Sequence, residues 1–145
     1  TMIRSGYGHS CGIRTDKTLW CWGANDEGQL GDGSTTSRTT PVQVGSANDY
    51  IYVAAGIEST CAIRTGGTTW CWGYNFGGQL GDGTKISRSS PVAVGGGKLF
   101  SQIASGAFHT CALATDGVYC WGGNGGQVGD GTTTDRLTPT KVVGL

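Results

Sequence analysis

Short runs of alternating apolar and polar positions fill the chain, and none of them keeps a helical rhythm beyond two turns. The apolar positions fall instead in segments of four to six residues, such as Cys11-Gly12-Ile13-Arg14, Leu19-Trp20-Cys21-Trp22 and Pro91-Val92-Ala93-Val94. Glycine or β-branched residues interrupt every stretch that might wind into a helix, so the pattern predicts an all-β chain. The segments recur. Cys11, Cys61 and Cys111 are spaced by 50, as are Gly6, Gly56 and Gly106, which divides the chain into repeats over 1–50, 51–100 and 101–145 within one repeat domain.

Within each repeat the pattern predicts four strands: a leading segment around Ile3, Val53 or Ile103, two arms of a hairpin, and a proline-led segment. The hairpin turn is placed at Asp16-Lys17, the slot that holds Gly66-Gly67 and Asp116-Gly117, favoured tight-turn pairs, in the other copies. If the loop is Asp16-Lys17-Thr18, Cys21 stands opposite Ile13 and a bridge to Cys11 must run diagonally. Four short strands per period describe a propeller blade better than a sandwich.

Composition adds that many positions serve turns: glycine supplies 28 of 145 residues, against 37% apolar and 14% charged. Ten basic and ten acidic residues leave no net charge, so the basic face that neutralises nucleic-acid phosphates is not expected. No apolar run reaches 18 residues, which predicts no membrane span, and Thr1-Met2-Ile3-Arg4-Ser5 holds no export-signal core, so any leader would lie outside this sequence.

The six cysteines fall two per repeat with nine, nine and eight residues between them. Zinc sites favour close CxxC pairs, and none occurs, so the spacing favours disulfides Cys11 to Cys21, Cys61 to Cys71 and Cys111 to Cys120 over zinc or free thiols. Persistent disulfides would place the protein outside the cell or on its surface.

The motifs HTCAL, DG, CWG, NxxGQLGDGT and RxxP, repeated along essentially the whole chain, resemble the repeat of the regulator-of-chromosome-condensation family. The resemblance implies propeller blades, commonly seven to a ring, so three repeats imply blades completed by neighbouring copies or belonging to a larger propeller. Secreted propellers of this family that inhibit β-lactamases are similar in using loop aromatics on one face.

Residues repeated in every copy are assigned structural work: Trp22, Trp72 and Trp121 to packing between blades, and Asp32, Asp82 and Asp130 with Arg38, Arg88 and Arg136 to a turn carboxylate paired with an arginine. One aspartate per loop falls short of the six to eight oxygens that calcium takes, so neither a metal nor another cofactor is expected. His9 and His109 could serve as bases, but Ser59 fills the slot in the second repeat and no nucleophile motif accompanies them, so no enzyme is expected.

Specific recognition should lie where the copies differ. That selects Tyr7, His9, Glu58, Tyr74, Phe76, Phe108 and His109 as binding-loop candidates. The leading functional expectation is a non-enzymatic extracellular interaction module that self-assembles head to tail into a ring or filament, by pairing the segment near Leu145 with the strand near Ile3 of another copy. The alternatives are a ligand-binding propeller, inhibitory or lectin-like, with another protein or a glycan on its loop aromatics, and a fragment of a longer seven-bladed chain. No Asn-x-Ser/Thr sequon is present, though the Ser/Thr stretches before Pro41 and Pro91 suit O-linked sugars.

Overall fold

A computed structural model describes residues 1–145. Twelve strands form three antiparallel four-stranded sheets, each from one repeat and each in simple up-and-down order. The first holds β1 (Met2–Ser5), β2 (His9–Ile13), β3 (Leu19–Gly23) and β4 (Arg38–Gln43). The second holds β5 (Tyr50–Ala55), β6 (Ser59–Arg64), β7 (Thr69–Gly73) and β8 (Arg88–Ala93). The third holds β9 (Gln102–Ser105), β10 (His109–Ala114), β11 (Gly117–Gly122) and β12 (Arg136–Lys141). The all-β expectation and the propeller-blade reading therefore hold, and the only helical piece is a 3-10 turn at Gly95–Gly97.

The hairpin register corrects the sequence reading. Arg14 donates its N–H to Thr18 O and Lys17 donates to Arg14 O, so the loop is Thr15-Asp16-Lys17 rather than Asp16-Lys17-Thr18. Lys17 adopts the left-handed φ of 62° that closes such a loop, in the slot where the second repeat has Gly67. This one-residue displacement sets Cys11 directly across from Cys21, and Ile13 across from Leu19. The third repeat spends one residue fewer in the loop, pairing Ala114 with Gly117, and again brings Cys111 opposite Cys120. All three cysteine pairs are bridged with Cα–Cα separations of 4.1 Å, the spacing of directly opposed residues at a non-hydrogen-bonded site, and no diagonal bridge is needed.

Strand exchange between chain ends is likewise replaced. Each sheet already takes its first strand from its own repeat, β1 beside β2 and β9 beside β10, so no sheet waits for a strand from elsewhere. The sheets meet face to face. Each disulfide lies on one face together with the residues at 13, 19 and 44 or their counterparts, and the following sheet lays its Val53, Ala62 and Trp72 row, or Ile103, Ala112 and Trp121 row, against it. Two apolar clusters of ten buried residues each result, one per junction.

The burial phase records this stacking. In the first sheet β2 buries His9, Cys11 and Ile13, whereas in the third β10 buries Thr110, Ala112 and Ala114, one residue out of step. The middle sheet has both faces covered, and β6 is buried from Ser59 to Ile63. Equivalent strands thus differ in burial according to which neighbour they have.

Candidate docking site between blades

The loop after each third strand builds the socket at every junction. Asn25, wholly buried, donates through Nδ2 to Ser34 O and Thr36 O at 3.0 Å and accepts from Leu30 N–H at 2.9 Å. Gln29 Oε1 accepts from Glu27 N–H at 2.9 Å. Asn75 with Gln79, and Asn124 with Gln127, repeat the arrangement. These side chains turn a loop that reads as variable into a rigid frame. The asparagine and glutamine roles were missed in the sequence, although their invariance within an otherwise changing loop was the available signal.

What the frame presents is a backbone carbonyl beside a glycine. Trp72 of the second blade donates its Nε1–H to Gln29 O at 2.9 Å, and Trp121 of the third donates to Gln79 O at the same distance. A Cβ on Gly31 would stand 2.6 Å from Trp72 Nε1, and one on Gly81 2.6 Å from Trp121 Nε1, so only glycine lets the indole seat; both also take positive φ, 72° and 68°. The same carbonyls accept a second hydrogen bond from Thr60 Oγ1 at 2.8 Å and from Thr110 Oγ1 at 3.0 Å.

His9 completes the first junction and is not a loop-borne binding residue or a free base. It opens β2, is 3% exposed, and its Nε2 lies 2.7 Å from Thr60 Oγ1. Since the Thr60 hydroxyl hydrogen goes to Gln29 O, the threonine oxygen accepts and His9 donates from Nε2, leaving Nδ1 buried without a partner. Burial pushes the His9 pKa down to about 4. At the second junction Ser59 occupies the slot, and His109 occupies it on the open face of the third blade, half-buried, with its pKa also lowered by burial.

The two end faces carry the counterparts of the two sides of an internal junction. On the first blade Ile3 is 61% exposed while its counterparts Val53 and Ile103 are buried, and Trp22 is only partly buried although Trp72 and Trp121 are wholly so. Trp20, Trp22, Met2 and Ile3 line a shallow hollow there of about 320 Å³. On the third blade Leu113 is 39% exposed where Ile63 is fully covered. Its Gln127–Gly129 socket is built like the others, with Gly129 at φ 71°, but holds no indole. Packing between blades therefore describes Trp72 and Trp121 as found, and Trp22 only in part.

The carboxylate and arginine pairs stand behind the sockets. Arg38 meets Asp32 at 2.8 Å and Arg88 meets Asp82 at 3.1 Å, with Arg136 on Asp130 likewise, and each aspartate is almost covered. Each also accepts from the N–H and hydroxyl of the residue two positions on, Ser34, Thr84 or Thr132. Burial works to raise the Asp130 pKa, but hydrogen bonds from Thr132 and Arg136 outweigh it and hold the group at about 2; Asp32 and Asp82 are lowered in the same way. No three metal-ligating side chains converge anywhere in the structure.

The remaining loop candidates gather on the blade ends. Tyr74 packs on Phe76 with ring centroids 4.9 Å apart and on Phe108 at 6.3 Å, so the second and third blades share an aromatic cluster in which Phe76 is 64% and Phe108 50% exposed. Glu58 lies beside it, its backbone carbonyl accepting from Tyr74 N–H, and Tyr7 stands apart at 87% exposure.

A family model described as the regulator of chromosome condensation (RCC1) repeat matches residues 16–63, 66–113 and 115–145. Its unit begins in a hairpin loop and ends in the next sheet, so one family repeat contributes two strands to each of two blades. The RCC2 homolog of Danio rerio is 43% identical over 47 residues, 32% of this chain and 10% of that protein. The crystal structure of Prp20p from Saccharomyces cerevisiae, studied with its binding to Gsp1p and histones, superposes with a TM-score of 0.84 at 24% identity, covering 98% of this chain and 38% of that one. The ectodomain of the receptor kinase CR4 from Physcomitrella patens gives 0.57 at 30% identity, over 84% of this chain and 29% of that one. The chain thus spans well under half the length of each. With three matched repeats covering most of its residues and three blades stacked as in Prp20p, the chain belongs to the RCC1 repeat family.

Proposed function

We propose that the protein is a non-enzymatic, extracellular interaction module whose blades are extended head to tail by a second copy, the third blade of one receiving the first blade of the next. The observation that carries this reading is the pair of unmatched halves: Trp22 without a socket at one end, and the preformed Gln127–Gly129 socket without a tryptophan at the other. The two internal junctions supply the template for how they would meet. Such a contact uses different surfaces on the two partners, so it closes into a ring if the rotation allows and otherwise runs on as a filament. Three disulfides, together with a likeness to a receptor ectodomain, support an extracellular setting. The balanced charge supports a protein partner over nucleic acid.

A second reading, in which the further blades belong to the same longer polypeptide, is favoured by the 38% and 29% of the solved chains that this one covers. Light scattering separates the two. Assembly by copies predicts a mass that is a multiple of 14.9 kDa at micromolar concentration and returns to that unit in Trp22→Ala. A monomer unaffected by Trp22→Ala supports the longer chain instead. The exposed Tyr74, Phe76 and Phe108 cluster favours a further role in holding a protein or glycan, and triple replacement by alanine would abolish such binding without changing the assembly mass.

A further inference from the structure

The slot filled by His9, Ser59 and His109 in the three blades changes from one to the next, and that difference bears on the joint between copies. At the first junction the hydrogen-bond chain runs from His9 Nε2–H to Thr60 Oγ1 and from the Thr60 hydroxyl to Gln29 O. At the second, Thr110 still donates to Gln79 O, but Ser59 stands in the histidine slot and the chain does without it. On the open face of the third blade His109 returns. Its ring lies over Gly106 as that of His9 lies over Gly6: a Cβ on either glycine would meet the histidine Cε1, at 2.5 Å and 2.9 Å. On the open face of the first blade the position equivalent to Thr60 is Ser10, whose hydroxyl is free to turn from Ser5, 3.1 Å away. The socket between them, Gln127 O beside Gly129, is already framed by Asn124 and Gln127.

Resting on the head-to-tail reading, we propose that each copy is latched to the next by His109 on Ser10 and that acid releases the latch. In the joined state Trp22 and Ser10 of the incoming copy donate to Gln127 O, and Ser10 Oγ accepts from His109 Nε2–H. The imidazole must then be neutral with Nδ1 bare, as in His9, because a proton on Nδ1 would be buried with no acceptor. No titratable or charged side chain stands against either ring. Gly106 lies against the His109 ring, and Gly6 and Thr60 against that of His9, while the incoming face brings Ser5, Ser10 and Trp22. Burial is the one influence on both groups.

The sign follows directly. Seating His109 lowers its pKa, so the joined state binds fewer protons than the separated copies. Association is strongest above the pKa of the separated copies and weakens as pH falls toward the lower one of the seated ring, burial pushing it down as it does in His9. Between those limits the loss approaches about tenfold in the association constant per pH unit. A junction of the Ser59 kind has no such slope.

Sedimentation velocity on the intact protein between pH 7.5 and 4.5 tests this with His109→Ser, which copies the natural second junction. The wild type should dissociate progressively as pH falls across this range, and His109→Ser should assemble with an affinity that stays within about twofold throughout. If His109→Ser is monomeric at pH 7.5, His109→Asn, whose amide donates from nearly the same place, is read in its stead: a flat profile supports the latch and a sloping one overturns it. Equal slopes in wild type and variant, or a wild type indifferent to pH, overturn the latch while leaving head-to-tail assembly standing. A wild type that is monomeric at pH 7.5 removes both.

Discussion

Two aromatic residues of one blade do unequal work here, and the inequality is measurable. Trp72 is wholly buried and hydrogen-bonded, whereas Tyr74, two positions on, is partly exposed in a slot that holds Ala24 and Gly123 elsewhere. Trp72→Ala should cost about 3 to 5 kcal/mol in urea unfolding, and Tyr74→Ala under about 1. Trp22→Ala should resemble the second more than the first in the monomer. Sequence alone puts all three tryptophans in one class, because what separates them is the presence of a neighbouring blade and not any local residue. His9 was illegible for a related reason: its slot borders an exposed loop, and a shift of one position decides whether a side chain faces solvent or the next sheet. Its depressed pKa has a consequence for stability. The unfolded chain takes up a proton near pH 6.5 and the folded one near 4, so stability is full above 6.5 and falls by about 3 kcal/mol by pH 4. His9→Ser, copying Ser59, should remove most of that slope when urea midpoints are compared across the same pH range in dilute solution.

At the scale of the element, the hairpin shows how much the pattern revealed and where it stopped. The cysteine spacing, the two arms and the turn were all legible from composition and period. The register was not, since Lys17 in a left-handed conformation carries no glycine signal, and placing the loop one residue late moves every cross-strand pair. The third repeat confirms the logic of the element, because its shorter loop and its shorter cysteine spacing cancel and leave the cysteines opposed. Each bridge closes about ten residues, for which the chain-entropy model gives roughly 2 to 3 kcal/mol. Replacing Cys61 and Cys71 together by alanine should lower stability by at least that amount in chemical denaturation, since both are fully covered and the pair also fills the second apolar cluster.

At the scale of the whole molecule, three blades make two complete junctions and leave half of one at each end. The repeat count was plain in the sequence, but the direction of stacking was not. It emerges only from which face of each sheet carries the disulfide, and it makes the proposed assembly one of face-to-face docking in place of strand exchange at the chain ends. The outer strands complete that picture. β4, β8 and β12 form one edge of each sheet, opposite β1, β5 and β9, and each carries a proline, Pro41, Pro91 or Pro139, within the strand. Proline offers no N–H, so a foreign strand arriving at these edges meets a gap in the ladder it would need to extend. Each blade thus keeps its apolar area on its broad faces while its outer rim resists a foreign strand, which guards a glycine-rich β chain against sliding into amyloid.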